Sequence, residues 1–238
     1  MARGTLSVIL LFTTLLFSGC YNSGPCESGI GDVIVQEVIV NDFNRINVEI
    51  AGDVFITQAA EQKVTVESNG NIISRLETIV DDGEWRIRFR SCVNNYDRLN
   101  IYIETPDMEG IVLSGAGNIT TNSTFESPNA NVALIGSGNI TASFDVVNMS
   151  TVLSGSGNIL LSGTCNAHNA SLPGSGNIGS FDLQSETANV EISGSGSADV
   201  SVSQTLNVTI SGSGNVRYMG DPSVTQNITG SGSVIKVN

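Results

Sequence analysis

The sequence contains little histidine, few aromatic residues and few basic residues. Its 238 residues include one histidine, 5% aromatic residues, and ten lysines and arginines against 23 aspartates and glutamates, which gives a net charge of −13. One histidine excludes a multi-histidine metal site, and we expect neither a metal nor a cofactor. Because nucleic-acid-binding proteins need clustered lysine and arginine to neutralise phosphates, the composition also excludes a nucleic-acid partner.

Long hydrophobic runs are missing as well. The run from Leu6 to Phe17 has about 12 residues, whereas a membrane-spanning helix needs about 20. Arg3 precedes this run and Ser18-Gly19 follow it, an arrangement typical of a secretion signal. One interpretation is an ordinary signal that is cleaved near Gly19.

A second interpretation comes from Leu16 to Cys20, which resemble a bacterial lipobox. In such a segment the signal is cut before a cysteine that then receives lipid. The resemblance implies that residues 1–19 form the signal, that Cys20 is lipidated, and that residues 20–30 tether the folded part to a membrane. Tyr21 follows Cys20 in place of the aspartate that favours retention at the inner membrane, which implies the outer membrane. Acyl chains anchor a protein by burying CH₂ groups worth about 0.8 kcal/mol each.

Three further cysteines are present: Cys26, Cys92 and Cys165. Outside the cytoplasm a disulfide can form, and three cysteines allow three pairings. We favour Cys26–Cys92, because both residues lie outside the regular repeat described next. This pairing would leave Cys165 as a free thiol.

Glycine, in contrast, is abundant and recurs at a regular interval. A Gly-Ser-Gly-Asn motif or a close variant occurs seven times, with spacings of 21, 19, 19, 20, 18 and 18 residues. Leucine or isoleucine lies two residues before each motif, and an apolar residue lies four residues after its first glycine. Such recurrence indicates a repeat architecture. The first glycines are Gly115, Gly136, Gly155, Gly174, Gly194, Gly212 and Gly230.

A period of about 19 residues predicts one coil of an all-β parallel solenoid, built from short strands and tight corners. Stacked coils bury an inward face that no coil can bury alone. We expect the glycines to adopt positive φ at the corners, and the asparagines to form a hydrogen-bonded column that Ser197 and Ser233 interrupt. The predicted corner residues are Gly117, Asn118, Gly138, Asn139, Gly157, Asn158, Gly176, Asn177, Gly214 and Asn215.

The two halves of the chain differ in how regularly their sequence motifs repeat. Residues 107–238 hold the regular repeat, and residues 31–106 are interpreted as a less regular part of the same solenoid. In that earlier part, segments such as Val54-Phe55-Ile56 and Ile101-Tyr102-Ile103 alternate as strands with one wet face. Ala51-Gly52-Asp53-Val54 has the outline of a degenerate repeat corner.

The ordered motifs resemble a known family. Phe43-Asn44-Arg45-Ile46-Asn47-Val48 leads to Ala51–Gln58, then to Ile101–Pro106, and then to the glycine-serine-glycine-asparagine repeats. This order is similar to the putative auto-transporter adhesin, head GIN domain family, over roughly residues 30–238. The resemblance implies a single-stranded right-handed β-helix on a bacterial envelope lipoprotein, with adhesion as its function.

Other motifs point to chemistry that we do not expect. Residues 174–179 match GxGxxG, but a dinucleotide site needs this motif between a strand and a helix, and no helix follows here. His168 lies in a polar segment, where we expect a solvated histidine rather than a catalytic base. If the chain were a carbohydrate-active enzyme, the candidate catalytic carboxylates would be Asp145, Asp182, Glu186, Glu191 and Asp199.

These observations favour a non-enzymatic binding protein. We expect an adhesin-like module that presents the surface of a β-helix to glycans or proteins. The alternatives are a carbohydrate-active β-helix enzyme and a structural or periplasmic scaffold without a soluble ligand. Solenoid ends expose strand edges, and the β-prone residues 233–238 predict self-association at the C-terminal end.

Overall fold

The computed structural model describes residues 25–237, and Cys20 and the predicted signal of residues 1–19 lie outside them. Strands account for 63% of the chain and helix for 2%, in a β-solenoid of about seven turns with about 19 residues per turn. The predicted all-β solenoid and its period are therefore confirmed. Residues 25–237 contain no helix with the length and apolar character that crossing a membrane requires.

The first ten strands and one short helix precede the regular coils. They are β1 (Glu27–Ser28), β2 (Val33–Glu37), β3 (Arg45–Val48), β4 (Asp53–Gln58), β5 (Lys63–Asn69), α1 (Gly70–Ile73), β6 (Val80–Asp81), β7 (Glu84–Ile87), β8 (Val93–Asn95), β9 (Asn100–Thr105) and β10 (Gly110–Leu113). The remaining strands are β11 (Asn118–Leu134), β12 (Asn139–Leu153), β13 (Asn158–Leu172), β14 (Asn177–Ile192), β15 (Ser197–Ile210), β16 (Val216–Met219), β17 (Ser223–Ile228) and β18 (Val234–Lys236).

Each of the strands β11 to β15 forms most of one coil and pairs in parallel with the next. The residues just after each glycine corner stack into what we call the first strip, which β9 and β4 begin and β16 and β18 end. The residues before the next corner stack into the second strip, which begins with β7, β3 and β10 and ends with β17. The chain thus winds once per repeat.

The core lies between the two strips. Alternate residues of each strand point inward, so one coil after another places aliphatic side chains at the same height. The residues after the corners, Ile119, Ile140 and Ile159, are fully buried, as are Leu134 and Leu153 before the corners. Full burial of such a side chain contributes about 1.5–3 kcal/mol. The pattern of the repeat therefore provides one continuous hydrophobic core.

The corner glycines correct one expectation from the sequence. Among the described residues, the glycines with positive φ are Gly31, Gly83, Gly163 and Gly220, none of which belongs to one of the seven repeat corners. The corner glycines are instead required by close packing between coils. A Cβ on Gly138 would overlap the carbonyl oxygen of Gly117 in the preceding coil, and the same overlap recurs along the stack.

The N-terminal end is closed by antiparallel strands. β5 pairs antiparallel with β9, and β2 pairs antiparallel with β5, so the first strip does not begin with a bare edge. β6 similarly pairs antiparallel with β7 at the start of the second strip. Trp85 is fully buried there, and its Nε1 donates to the carbonyl oxygen of Glu77 at 2.8 Å.

The C-terminal end is open. Among the described residues, β17 pairs only with β15, and β18 pairs only with β16. One edge of each of these last strands is therefore free, and most residues of β17 are exposed. Residues 25–237 contain no antiparallel strand that covers this end.

Candidate binding surface

The asparagines of the repeat corners form one continuous column on the outside of the first strip. Asn139 Nδ2 donates to Asn118 Oδ1 at 3.0 Å, Asn158 Nδ2 donates to Asn139 Oδ1 at 3.0 Å, and Asn177 Nδ2 donates to Asn158 Oδ1 at 3.2 Å. Asp53 extends the column by one coil, because Asn118 Nδ2 donates to its Oδ1 at 2.8 Å. We call Asp53, these four asparagines and their successors the amide column.

Ser197 interrupts the chain of side-chain amide bonds, and backbone N–H groups bridge the gap. The backbone N–H of Ser197 donates to Asn177 Oδ1 at 3.2 Å, and the backbone N–H of Asn215 donates to Ser197 Oγ at 3.3 Å. Ser233 Oγ then donates to Asn215 Oδ1 at 2.8 Å. The column therefore continues through backbone N–H groups at Ser197 and through a hydroxyl at Ser233.

A second set of amides, which the repeat motif does not reveal, lies on the second strip. Asn189 Nδ2 donates to Asn169 Oδ1, and Asn207 Nδ2 donates to Asn189 Oδ1, each at 2.9 Å. All three residues are exposed. Their regular spacing of 20 and 18 residues was visible in the sequence, but they lack the flanking glycines that drew attention to the corner asparagines.

Beside the amide column, the next outward position of each coil forms a second column. It begins with Tyr102 and Phe55, which are register partners in β9 and β4, and continues through Thr120, Thr141 and Leu160. The rings of Tyr102 and Phe55 are stacked, with centroids 5.3 Å apart and planes inclined by 17°. Both rings reach the surface, and Tyr102 is 39% exposed.

Depressions on the surface are shallow and open. One of about 360 Å³ lies where the two columns meet, between Asp53, Phe55, Asn118 and Thr120. A larger one of about 590 Å³ lies at the N-terminal end, beside Phe43 and Gln62. Gln62 uses its amide to bind the backbone of residues 40–43, so this region is held together by its own contacts.

The three cysteines within residues 25–237 are divided between one disulfide and one buried thiol. Cys26 and Cys92 are joined, with their Cα atoms 4.6 Å apart. Cys165 is a free cysteine that packs in the core. Burial raises the pKa of the Cys165 thiol to about 11, so the thiolate that would act as a nucleophile is scarce near neutral pH.

His168 was expected in solvent, and this expectation is wrong. The side chain is 1% exposed, inside strand β13, between the inward positions of Met149 and Ala188. Its Nε2 lies 3.0 Å from Thr151 Oγ1. Burial lowers the pKa of His168 to about 4, so the imidazole is neutral and packs as part of the core.

The candidate carboxylates do not converge on one place. Asp199 forms an ion pair with Arg217, and Asp145 accepts a hydrogen bond from Thr164 at 2.8 Å. Glu186 accepts from Gln204 at 3.3 Å. Within residues 25–237, no group of three or more histidine, cysteine, aspartate or glutamate side chains could hold a metal ion.

The fold and this surface define a class of protein: a repeat-built β-solenoid with a closed core and polar columns on its outside. Residues 42–222 match the family described as "Putative auto-transporter adhesin, head GIN domain", and the chain belongs to that family. The resemblance given by the ordered motifs is confirmed. No curated protein sequence matches the chain.

Solved structures share the fold. A putative adhesin from Bacteroides fragilis is 20% identical, with 89% of this chain and 100% of that chain aligned and a TM-score of 0.82. A putative lipid binding protein from Parabacteroides distasonis is 23% identical, with 90% and 100% aligned and a TM-score of 0.74. A putative adhesin from Parabacteroides merdae is 21% identical, with 90% and 100% aligned and a TM-score of 0.71.

Proposed function

We propose that this chain is a non-enzymatic binding protein of the bacterial envelope, which attaches to glycans or proteins through the outside of its solenoid. The observation that carries the proposal is the amide column, whose members hold each other in place by direct hydrogen bonds. Each member keeps part of its hydrogen-bonding capacity for a partner. Membership of an adhesin family supports the same function.

The shape of the molecule supports attachment rather than turnover. The interior is filled by aliphatic side chains, and its one histidine is buried and neutral. A reaction would need convergent groups in a sheltered cleft, whereas the depressions along the strips are shallow. A rigid polar surface, in contrast, loses little conformational entropy when it binds.

We further propose that lipid on Cys20 anchors the protein in the outer membrane. The disulfide between Cys26 and Cys92 supports an oxidising location outside the cytoplasm. Cys26 lies only six residues beyond Cys20, so the closed N-terminal end of the solenoid would face the membrane. The repeat coils and the open end would then project away from it.

The test combines protease treatment of intact cells with replacement of Cys20. Treatment should remove the chain while a periplasmic control protein survives, and Cys20→Ala should move the protein into the soluble fraction. A surface-exposed chain that also attaches cells to immobilised glycans or proteins supports the proposal. Full protection from protease until the outer membrane is breached would contradict adhesion to other cells.

A further inference from the structure

Two aromatic rings on the outside of the first strip have no role in the core. Phe55 lies between the buried Val54 and Ile56, and Tyr102 lies between the buried Ile101 and Ile103. Their alternation forces both rings outward, where register pairs them across β4 and β9. The near-parallel rings are stacked, with 5.3 Å between centroids, so Tyr102 backs one face of Phe55. The other face of Phe55 is turned towards Thr120 of the next coil.

The ring of Tyr102 is fixed by its neighbours. Its Oη donates to Glu67 Oε2 at 3.1 Å, and Asn100 Nδ2 donates to the same hydroxyl oxygen at 3.3 Å. Arg98 Nη1 donates to Glu67 Oε1 at 2.7 Å, and this bond, with a further bond from Asn100, lowers the pKa of the Glu67 carboxyl. Glu67 is therefore an ionised acceptor that orients Tyr102, and the ring pair is set before any ligand arrives.

Polar groups line one side of the ring pair. Asp53 and Asn118, two members of the amide column, lie beside Phe55. Asn118 Nδ2 donates to Asp53 Oδ1 at 2.8 Å. Thr120 is the register partner of Phe55 in the next coil, and Thr141 follows it. These side chains and Phe55 surround the depression of about 360 Å³. The site thus offers the free face of the Phe55 ring, supported from behind by Tyr102, with carboxylate, amide and hydroxyl groups around the same depression.

This combination matches the chemistry of a saccharide. A sugar ring presents C–H groups on one face, which pack on the negative face of an aromatic ring, and hydroxyl groups at its rim, which pair with amides and carboxylates. We propose that Phe55 and Tyr102, with Asp53, Asn118 and Thr120, form a saccharide-binding subsite. This inference rests on the proposed function, which it narrows to one site and one class of ligand.

The charge of the site selects among saccharides. Asp53 has no cationic partner among the ion pairs of residues 25–237, whereas the charge of Glu67 is balanced by Arg98. An acidic sugar would bring a second carboxylate beside Asp53, and like charges in contact oppose binding. The subsite therefore takes neutral sugars and rejects uronic acids.

The experiment measures binding of the purified full chain to maltohexaose, cellohexaose, mannohexaose, xylohexaose and hexagalacturonate by isothermal titration calorimetry. We expect binding to at least one neutral oligosaccharide and none to hexagalacturonate. Phe55→Ala should weaken binding about tenfold, the loss of one aromatic stacking contact. Tyr102→Ala should weaken binding by a smaller factor, because Tyr102 supports the Phe55 ring from behind. Tyr102→Phe keeps the ring and should retain most of the affinity.

Phe181→Ala is the matched control. Phe181 is also a half-exposed aromatic residue, but the guanidinium of Arg217 covers its ring at 5.5 Å from the centroid. Its removal should leave saccharide binding unchanged. Thermal unfolding followed by circular dichroism checks that each variant remains folded.

The outcomes separate this inference from the proposed function. Saccharide binding that Phe55→Ala and Tyr102→Ala leave unchanged overturns the subsite, while it supports a glycan-binding protein. Preference for hexagalacturonate also overturns it. No binding to any of the five oligosaccharides overturns the subsite, and the protease and cell-attachment tests then decide the proposed function independently.

Discussion

The two ends of this solenoid are finished in different ways. At the N-terminal end, antiparallel strands cover both strips and the disulfide between Cys26 and Cys92 fastens β1 beside β8. At the C-terminal end, β17 and β18 each leave one edge unpaired within the described residues. A solenoid must stop somewhere, and an exposed strand edge invites pairing with another chain. Among residues 25–237, antiparallel strands cover the N-terminal end of the solenoid and leave the last coil uncovered.

The net charge also differs between the two ends of the solenoid. The charged residues from 197 onward are Asp199, Arg217, Asp221 and Lys236, and they form the ion pairs Arg217–Asp199 and Lys236–Asp221. The excess negative charge of the chain therefore lies in the earlier coils. Two copies that met through their C-terminal ends would bring together surfaces on which positive and negative charges are balanced. Two copies that met through their N-terminal ends would bring together surfaces with excess negative charge.

Removal of the disulfide should give the largest change, because it tests the closed end directly. The bridge joins residues 66 positions apart, and a loop of this size contributes roughly 4 kcal/mol by restricting the unfolded chain. Cys26→Ser with Cys92→Ser should lower the free energy of unfolding by that amount in urea titrations. Cys165→Ala is the control for loss of a cysteine outside the bridge. Equal stability of the oxidised and reduced wild-type protein would contradict this prediction.

A methyl group at a repeat corner should disrupt the stacking of neighbouring coils. The coils that lead to the open C-terminal end depend on this stacking. Gly138→Ala places a Cβ against the carbonyl oxygen of Gly117, and backbone cannot move aside as a side chain can. We expect a loss of about 3 kcal/mol in the free energy of unfolding, at the upper end for overpacked sites. Ser137→Ala at the neighbouring exposed position should change stability little. If Gly138→Ala and Ser137→Ala have the same free energy of unfolding, close packing between coils is not the reason for glycine at position 138.

Acid should weaken the repeat coils through His168. Burial holds its pKa at about 4 in the folded protein, against about 6.5 in an unfolded chain. Between these values the unfolded state binds more protons, so stability is complete above pH 6.5 and declines as the pH falls towards 4. The loss is of order 3 kcal/mol.

Urea titrations at several pH values measure this effect, and His168→Met is the matched variant. It repeats Met149, which occupies the same inward position one coil earlier, and it carries no titratable group. Its stability should vary much less between pH 6.5 and pH 4. A wild-type curve that is flat across this window would show that His168 does not titrate as its burial requires.

The open end should support self-association, with little effect on folding. We expect light scattering to show a mass that rises with protein concentration. Thr225→Lys with Asn227→Lys places charges on the exposed strand β17 and should keep the protein monomeric, since lysine on an edge opposes pairing. Asn207→Lys with Thr209→Lys, the register partners one coil inside, should not. A strict monomer at high concentration for the wild type would contradict the prediction.

The sequence predicted the repeat coils well because their structure is set locally. The period, the inward isoleucines and leucines and the outward asparagines all follow from residues within one coil of each other. The antiparallel closure of β2, β5 and β9 could not be read in the same way, since it pairs segments that share no motif. The stacking of Phe55 on Tyr102 was missed for this reason, although alternation already placed both rings outward.

His168 shows where a local interpretation failed despite a usable signal. Its polar neighbours suggested a loop, yet counting back in steps of two from the inward Leu172 and Ala170 reaches His168. The prediction of positive φ at the corner glycines failed for a different reason. Their motif was recognised, but its cause is the approach of the next coil, and a distance between coils is not written in any single segment.

The amide column also makes the molecule extendable. Coils of 18 to 21 residues stack in the same column, because their differences in length are absorbed elsewhere, as at the register shift after Thr120. Duplication of residues 139–157 would therefore insert one whole coil and move the two ends apart by about 4.8 Å, the spacing of paired strands. A gene that gains or loses such units can adjust how far its product reaches without redesigning either end.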